Sequence, residues 1–429
     1  MAFLFRRDPA LLSPIGFGSV GHVPFLLNHD MSYADEVNRF LRERALLDWH
    51  PNNRHGEATA RVRAPAENTI FAIARDLENF LTYMEVNGLD WRAMDYRQVL
   101  RTYQADQNNG SWSERGVPLA PATINRRVGY VCEFLSWAGD RGLRPAFLIL
   151  ESRSTVRDRS GTATTHRFHD VAGRAGRVRE RIERLRIPTV AEIDTWLAEV
   201  EAKRGKTKAL ACKTILETGM RLEEVALLRA AQVPDPGTIL PGYPARMDIC
   251  YGTKGSRQVG DPDKKGKQRL LRFGVDFLHT LDDYRRLRRA KAVAAFRRNN
   301  PGKRPSDILF LSESTGEPLT KKMIYDAWTR AEKLPFPGWS PHAGRHAFAC
   351  LLLLRLIHEE GERIGQSAAT LPRSVMITQA MDLVQMYVRP ILGHVSEQTT
   401  ARYLEWVADH FMVAEHRAAW AHYLEGNDA

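Results

Sequence analysis

The apolar residues in the first 150 positions indicate amphipathic helices, because they recur at three- and four-residue steps. The clearest run begins near Asn68 and has apolar residues at Ile70, Ile73, Leu77, Phe80, Leu81 and Met84. Asn68 or Thr69 is a candidate N-cap for this helix, and Gly88 is a candidate end. Three more helices are predicted in this region: Tyr33–Leu47, one after Asp95, and one from Thr123 through Trp137.

The second half of the chain is also mainly helical, and it begins with a capped helix near Pro188 and Thr189. A short β-rich segment interrupts the helices. Arg246–Thr253 and Arg269–Phe273 have the character of two strands that flank a loop rich in Gly, Asp and Lys. The predicted fold class is therefore mainly α with a small β-hairpin element.

Composition divides the chain into four segments. Residues 1–64 are predicted to be an N-terminal extension, and residues 65–150 a compact helical domain. Residues 151–187 have few large apolar groups and many Arg, Ser, Thr and Gly, which is typical of an interdomain linker. Residues 188–429 are predicted to form a second domain.

The positive charge of the chain is concentrated in two of its segments. The formal net charge is +11. Arg153–Arg186 contains ten arginines against four acidic residues, and Lys254–Arg272 contains seven basic residues against two acidic ones. The charges of the remaining residues cancel. Two basic segments on a balanced chain favour a polyanionic partner such as DNA, and solvated charged loops are the alternative interpretation.

Composition also argues against several classes of protein. Hydrophobic residues make up 43% of the chain and charged residues 26%, as in a globular protein. The four cysteines lie far apart, without a CxxC pair, which indicates reduced and mostly buried thiols: Cys132, Cys212, Cys250 and Cys350. The first apolar run is too short for a signal peptide, and none is long enough to span a membrane. We therefore expect a cytoplasmic protein.

Three short segments of the second domain supply the groups that phosphodiester chemistry needs. They are Thr218–Val225 (TGMRLEEV), Ser340–His346 (SPHAGRH) and Leu392–His394 (LGH), and Tyr403 follows nine residues after the last. Cutting a phosphodiester requires a nucleophile, cations for the phosphoryl oxygens and an acid for the leaving oxygen. Each segment alone is a weak signal, whereas their order and the final tyrosine are specific.

These segments resemble the conserved boxes of the tyrosine recombinases, also called the lambda-integrase family. The resemblance extends to Ile308–Thr320 and to residues 66–145, which resemble the family's core-binding domain. It implies that this helical domain and an α+β catalytic domain form a C-shaped clamp on DNA. It also implies a site-specific recombinase that cuts and rejoins DNA through a 3′-phosphotyrosyl intermediate, without a metal, a cofactor or ATP.

The resemblance assigns phosphate binding to two arginines. Arg221 and Arg345 match the residues that grip the non-bridging oxygens, a task that suits the planar guanidinium because it stays charged. Glu224 matches the acid that orients Arg221, and the three-residue spacing places both on one helical face. Glu224 as an ordinary surface charge is the alternative.

The resemblance also assigns the nucleophile and two histidines. Tyr403 matches the nucleophile, and Tyr387, which precedes the LGH box, is the weaker alternative. His342 and His394 match residues that hydrogen-bond the phosphate or accept the tyrosine proton. His346 is interpreted as a packing residue of its box and is left out of the catalytic set. A free tyrosine has a pKa of about 10, so nearby cations must lower the cost of the phenolate.

The general acid is expected among the lysines of the predicted hairpin, which are Lys254, Lys264, Lys265 and Lys267. Lys254 lies at the end of a predicted strand, where it is better anchored than the lysines of the Gly- and Pro-containing loop. A general acid must stay within hydrogen-bond reach of the leaving oxygen, and Lys254 also best matches the family's hairpin lysine. A contact between Lys254 and a neighbouring phosphate is the alternative.

Double-stranded DNA is the predicted substrate, and the resemblance implies a homotetramer on paired DNA sites. The predicted backbone contacts are Arg126, Arg127, Arg174, Arg177 and Arg179. The segment after Tyr403 has apolar positions from Phe411 to Tyr423. Two interpretations are open: the segment docks on a neighbouring protomer, or it packs on its own domain. Two other functions stay open: a type IB topoisomerase that relaxes DNA as a monomer, and a DNA-binding protein without catalysis.

The chain departs from the family pattern within the catalytic region. Gly344 stands where the family commonly has Leu, which predicts looser packing beneath Arg345. The stretch between Arg345 and Leu392 is longer than the family usually shows, with Glu359–Arg373 as the predicted insertion. The Gly205–Thr207 triplet lacks the upstream glycine of a P-loop, so no use of ATP is expected.

Overall fold

The described residues form two compact units along the chain. The computed structural model describes residues 2–6, 9–51, 64–157, 168–180, 184–253, 265–363, 365, 373–393 and 401–410. Unit 1 comprises the described residues up to 180, and unit 2 those from 184 onward. The division falls inside the segment 151–187 that is predicted as a linker. Among the described residues, no helix is both long and apolar enough to cross a membrane.

Unit 1 is built mainly from helices. Its helices are α1 (Pro9–Leu12), α2 (Asp35–Leu46), α3 (Glu67–Val86), α4 (Tyr96–Val99), α5 (Ala105–Asn109) and α6 (Pro121–Asp140). A π-helical turn, Leu100–Gln104, joins α4 to α5. Its antiparallel strand pairs are β1 (Phe3–Phe5) with β2 (Phe25–Leu27), and β3 (Glu151–Arg157) with β4 (Phe168–Arg174). The helices predicted from periodicity are confirmed to within a few residues.

The segment predicted as an N-terminal extension contributes to the core of unit 1. Phe40 of α2 packs against Phe134 and Trp137 of α6, with both ring centroids 5.6 Å away. The buried Asn38 amide accepts a hydrogen bond from the Leu26 amide at 2.7 Å and donates to the Leu26 carbonyl at 2.8 Å. Residues 2–51 therefore share one apolar core with the helices that follow.

The segment predicted as a linker is partly ordered by contacts with unit 1. Val178 donates its amide to the Asn125 side chain at 3.0 Å and accepts from the same side chain at 2.8 Å. Tyr96 donates its hydroxyl to the Ala175 carbonyl at 2.5 Å. The β3–β4 hairpin was not expected, because these strands lack an apolar alternation and are held by backbone pairing.

Unit 2 combines helices with one described strand pair. Its helices are α7 (Val190–Arg204), α8 (Lys206–Thr218), α9 (Leu222–Ala226), α10 (Val275–Asp283), α11 (Arg289–Asn299), α12 (Lys321–Thr329), α13 (Pro341–Arg363), α14 (Arg373–Leu383), α15 (Arg389–Leu392) and α16 (residues 401–410). Two π-helical turns, Tyr284–Arg288 and Val384–Val388, continue α10 and α14. Strands β5 (Ala245–Tyr251) and β6 (Lys265–Phe273) pair antiparallel, which confirms the predicted hairpin.

Helix caps show where local sequence signals hold and where they fail. Thr189 caps α7 and forms a reciprocal capping box with Glu192, as the sequence predicts. By contrast, α3 begins at Glu67 without a side-chain cap, so the predicted cap at Asn68 or Thr69 is wrong. A strongly amphipathic helix can start without a cap, because burial of its apolar face stabilises it more than the cap does.

Gly344 of α13 lies against an aromatic cluster. Trp328 packs between Trp196 and Trp339, with ring centroids at 4.5 and 5.3 Å. A Cβ atom added at Gly344 would lie 2.3 Å from an indole carbon of Trp328. The predicted loose packing is therefore wrong, because the Trp328 ring fills the space that a leucine would occupy.

Replacing Gly344 by Ala is expected to overpack this contact and lower the free energy of unfolding by about 1–3 kcal/mol. Gly129→Ala in α6 is the matched control, since its added Cβ meets no atom within 4 Å. That variant should be neutral or more stable by up to about 1 kcal/mol. Urea denaturation followed by circular dichroism measures both, and equal effects would contradict the assignment of Gly344 to a close helix–indole contact.

Candidate active site

A cavity of about 440 Å³ opens between the start of α9 and the start of α13. Arg221, His342 and Arg345 line it, as does Lys321 of α12. The Lys321 ammonium lies 3.2 Å from a carboxylate oxygen of Glu223 at the cavity's edge. The described lining thus combines two guanidinium groups with an imidazole, which is suited to an anionic group.

A buried carboxylate orients the first arginine of the cavity. Glu224 accepts a hydrogen bond from the backbone amide of Arg221 at 2.7 Å and one from its guanidinium at 2.8 Å. Arg269 of β6 donates to the same carboxylate and to the Ile391 carbonyl. The Glu224 side chain is fully buried. One carboxylate therefore joins the start of α9 to the β-hairpin, and Arg269 continues this connection to α15.

The second arginine is almost entirely enclosed. Arg345 is 2% exposed and donates to the carbonyls of Gly219 and Leu392. Burial, together with the neighbouring Arg221 and Arg269, lowers the pKa of Arg345 to about 9. The group therefore remains a cation at neutral pH, but it is held where an added negative charge would be stabilising.

Tyr403 lies at the end of a chain of hydrogen-bonding side chains. Its hydroxyl is 2.9 Å from Nδ1 of His346, and Nε2 of His346 is 3.2 Å from Nε2 of His342. Tyr403 is 1% exposed and His346 is 7% exposed, whereas His342 is exposed in the cavity. The chain therefore runs from the buried hydroxyl to the surface that the arginines line.

Burial sets the acidity of the first two members of this chain. It raises the pKa of Tyr403 well above the usual value, with Cys350 adding to the shift and Arg345 opposing it. Burial and the neighbouring His342 lower the pKa of His346 to about 4. At neutral pH the resting chain is therefore a neutral phenol beside a neutral imidazole.

Structural comparisons identify the fold. No protein-family model matches the sequence, and no curated protein matches it. The structure is similar to XerH site-specific recombinase in a post-cleavage complex with a palindromic difH substrate, at 17% identity and a TM-score of 0.51. That match covers 90% of this chain and 94% of XerH. The chain has the tyrosine recombinase fold.

Two other solved structures give matches of lower score. The lambda integrase dimer bound to a COC′ core site matches at 13% identity and a TM-score of 0.43, over 86% of this chain and 94% of that chain. Tn1549 transposon integrase with circular intermediate DNA matches at 14% identity and a TM-score of 0.44, over 85% of this chain and 94% of that chain. The assignment of the tyrosine recombinase fold rests on XerH.

Within this fold, the structure brings together five of the residues singled out from the sequence, namely Arg221, Glu224, His342, Arg345 and Tyr403. Lys254 and His394 lie outside the described residues. The alternative nucleophile Tyr387 is 41% exposed, in the π-helical turn Val384–Val388.

Sequence reasoning missed two residues of this site. His346 was interpreted as a packing residue, but it contacts the hydroxyl of Tyr403 and the ring of His342. Its four-residue spacing from His342 is the signal that places both on one face of α13. Arg269 was read only as part of a strand and of a basic segment, and no local pattern indicates its contact with Glu224.

The five arginines predicted to contact phosphates have different surroundings. Arg126 pairs at 2.8 Å with the buried Asp76 and remains half exposed, while Arg127 contacts Asn79 at 3.1 Å. Arg174 is directed inward and donates to Gln104 and Asn125, each at 3.1 Å. Two others are exposed, and they are Arg177 and Arg179.

Glu224→Gln should lower the free energy of unfolding by about 3–5 kcal/mol, because Arg269 and Arg221 would lose a buried counter-charge. The matched control is Glu223→Gln, at the adjacent residue. Its carboxylate is 44% exposed and pairs with Lys321, so its loss should cost about 1 kcal/mol or less. Denaturant titration of the two proteins tests this contrast, and similar losses would show that Glu224 has no special structural role.

Proposed function

We propose that the protein is a site-specific DNA recombinase that cuts and rejoins strands through a covalent bond between Tyr403 and a backbone phosphate. The observation that carries the proposal is the link from the Tyr403 hydroxyl through His346 and His342 to a cavity lined by Arg221 and Arg345. The likeness to XerH, which was solved with a DNA substrate, supports the same function.

The two arginines are proposed to hold the phosphate and to stabilise charge that develops on it. A phosphodiester carries one negative charge, and attack by a phenolate adds a second at phosphorus. Arg221 is partly exposed in the cavity, so it can bind a non-bridging oxygen directly. Arg345 is fixed by the Gly219 and Leu392 carbonyls, so its cation needs little reorganisation when the charge forms.

Two more catalytic roles are proposed from the family resemblance alone. Lys254 is the general acid that protonates the leaving 5′ oxygen, and it directly follows the described end of the hairpin region at Thr253. His394 follows Gly393, whose left-handed backbone (φ of 59°) ends α15. His394 is proposed to hydrogen-bond the phosphate or to accept the tyrosine proton, as the family resemblance implies.

The proposed assembly is a homotetramer on paired DNA sites. Residues 65–150 are proposed to be the core-binding domain and residues 188–429 the catalytic domain. Arg177 and Arg179 are the better candidates for contacts with the DNA backbone, because their side chains are exposed. Arg174 is instead proposed to fasten the end of β4 to α6 and the turn before α5.

A nicked duplex that releases a short strand on cleavage should trap the covalent intermediate. The wild-type protein is expected to give an adduct that survives denaturing electrophoresis. Tyr403→Phe should bind the same DNA and give no adduct, because the attacking oxygen is absent. Tyr387→Phe is the matched control and should behave as wild type.

An adduct that persists in Tyr403→Phe would overturn the assignment of the nucleophile. Absence of any wild-type adduct would favour the DNA-binding protein without catalysis. Relaxation of a supercoiled plasmid that lacks a specific site, by a monomer and without strand exchange, would favour the topoisomerase alternative. One preparation of the protein serves both the adduct assay and the relaxation assay, which together distinguish the three outcomes.

Removing Arg177 and Arg179 together by Ala substitution should weaken DNA binding and flatten the slope of log K against log salt. Each lost phosphate contact reduces the slope by about 0.9, so the pair should change it by up to about 1.8. Arg174→Ala is expected to destabilise unit 1 and leave the slope unchanged. Fluorescence anisotropy across a salt series measures the slope, and the opposite pattern would assign the phosphate contact to Arg174.

A further inference from the structure

His346 lies between two groups that have to exchange a proton if Tyr403 is the nucleophile. Its two ring nitrogens are each in contact, Nδ1 with the Tyr403 hydroxyl at 2.9 Å and Nε2 with His342 at 3.2 Å. The ring is nearly buried, and the His342 ring beyond it is exposed at the cavity. The geometry is that of a bridge from a buried hydroxyl to the phosphate-binding surface.

Two arrangements of hydrogens satisfy both contacts, and only the first lets His346 accept the phenol proton. The Tyr403 hydroxyl donates to Nδ1 of His346, and the N–H at Nε2 of His346 then donates to Nε2 of His342. In this arrangement both contacts are hydrogen bonds, and both imidazoles are neutral. In the second, the N–H at Nδ1 of His346 donates to the phenol oxygen and the N–H at Nε2 of His342 donates to Nε2 of His346, so His346 cannot accept the phenol proton.

We propose, on the basis of the proposed function, that His346 and His342 form a proton relay that removes the phenol proton of Tyr403 as the oxygen attacks phosphorus. The O–H bond of Tyr403 breaks and its proton binds Nδ1 of His346. The Nε2–H bond of His346 breaks and that proton binds Nε2 of His342. The phenolate oxygen forms the bond to phosphorus, and the 5′ oxygen leaves with a proton from the general acid.

The relay places the positive charge where the structure can stabilise it. His346 is neutral before and after the transfer and only exchanges one tautomer for the other. A cation on His346 itself would be costly, because the ring is buried and Arg345, Arg402 and His342 all disfavour its protonation. The cation forms on His342, which is exposed and faces the cavity where the phosphate is proposed to bind.

The environment of Tyr403 explains why a relay is needed. Burial and Cys350 disfavour the phenolate, and Arg345 and Arg402 only partly compensate. The hydroxyl has little access to water, since the residue is 1% exposed. The proton therefore requires a path through side chains, and the contact to His346 begins one.

The competing explanation is that His346 only positions the Tyr403 hydroxyl. Two substitutions separate these roles. His346→Asn keeps an acceptor near the position of Nδ1 but cannot pass a proton on, whereas His346→Phe keeps the ring volume and loses the acceptor. His358→Gln, at an exposed histidine further along α13, is the matched control.

Single-turnover cleavage should be measured on a duplex whose bridging 5′ oxygen is replaced by sulfur. A thiolate leaves without a proton, so the general acid no longer affects the rate and deprotonation of Tyr403 is isolated. At neutral pH, His346→Asn and His346→Phe should both cleave about 10²-fold or more slowly than wild type. Their rates should rise about tenfold per pH unit as the equilibrium fraction of phenolate increases, while the wild-type rate and the His358→Gln rate stay level.

The relay is overturned if His346→Asn cleaves at the wild-type rate, because an acceptor alone would then suffice. It is equally overturned if the slow variants show no dependence on pH, which indicates a misplaced nucleophile. DNA binding and the unfolding midpoint of each variant establish that the site is intact.

A measurement on the wild-type protein does not depend on the folding of any variant. Cleavage of the sulfur substrate in mixtures of light and heavy water should give a curved dependence on the deuterium fraction, since two protons move in one step. A straight line, which indicates one moving proton, would overturn the relay while leaving the recombinase function standing. Failure of the wild-type protein to form any adduct would instead overturn the proposed function and the relay with it.

Discussion

Unit 2 depends on a buried carboxylate that holds two guanidinium groups. Glu224 pairs with Arg221 and with Arg269, and these partners come from the start of α9 and from β6. Arg269 also holds the Ile391 carbonyl, so the same centre fixes the end of α15. Burial of a cation costs free energy unless the cation has a partner. Without the Glu224 carboxylate, Arg221 and Arg269 would lose their shared counter-charge.

The cluster nevertheless keeps an excess of positive charge. Arg221, Arg269 and Arg345 share Glu224 as their buried carboxylate, and Arg345 is compensated by the carbonyl dipoles of Gly219 and Leu392. Burial, and after it the neighbouring Arg221 and Arg269, lower the pKa of Arg345. An anion placed beside these fixed guanidinium groups would be stabilised without reorganisation of the site, which is the property that the proposed phosphate binding uses.

Particular residues show what the sequence could and could not predict. The helices and the β5–β6 hairpin follow from periodicity, and Arg221, Arg345 and Tyr403 follow from segments whose order is specific. The role of His346 depends on its contact with Tyr403, 57 positions away in the sequence. The role of Arg269 depends on its contact with Glu224, 45 positions away. Such contacts are set by packing of distant elements and leave no local pattern. For the same reason, the helix at Tyr33–Leu47 could be predicted without residues 2–51 being recognised as part of the unit 1 core.

The aromatic cluster around Trp328 and the hydrogen-bonded chain that begins at Tyr403 both contact helix α13. His342, Arg345 and His346 are three and four residues apart and therefore share a face, while Gly344 points to another. A Cβ atom at position 344 would lie 2.3 Å from the Trp328 ring, so the indole leaves no room for a side chain there. The same helix carries Arg345, which meets the carbonyls of Gly219 and Leu392, and His346, which meets Tyr403. A larger residue at position 344 would have to displace the Trp328 ring or shift α13, and a shift of α13 would move Arg345 and His346 with it.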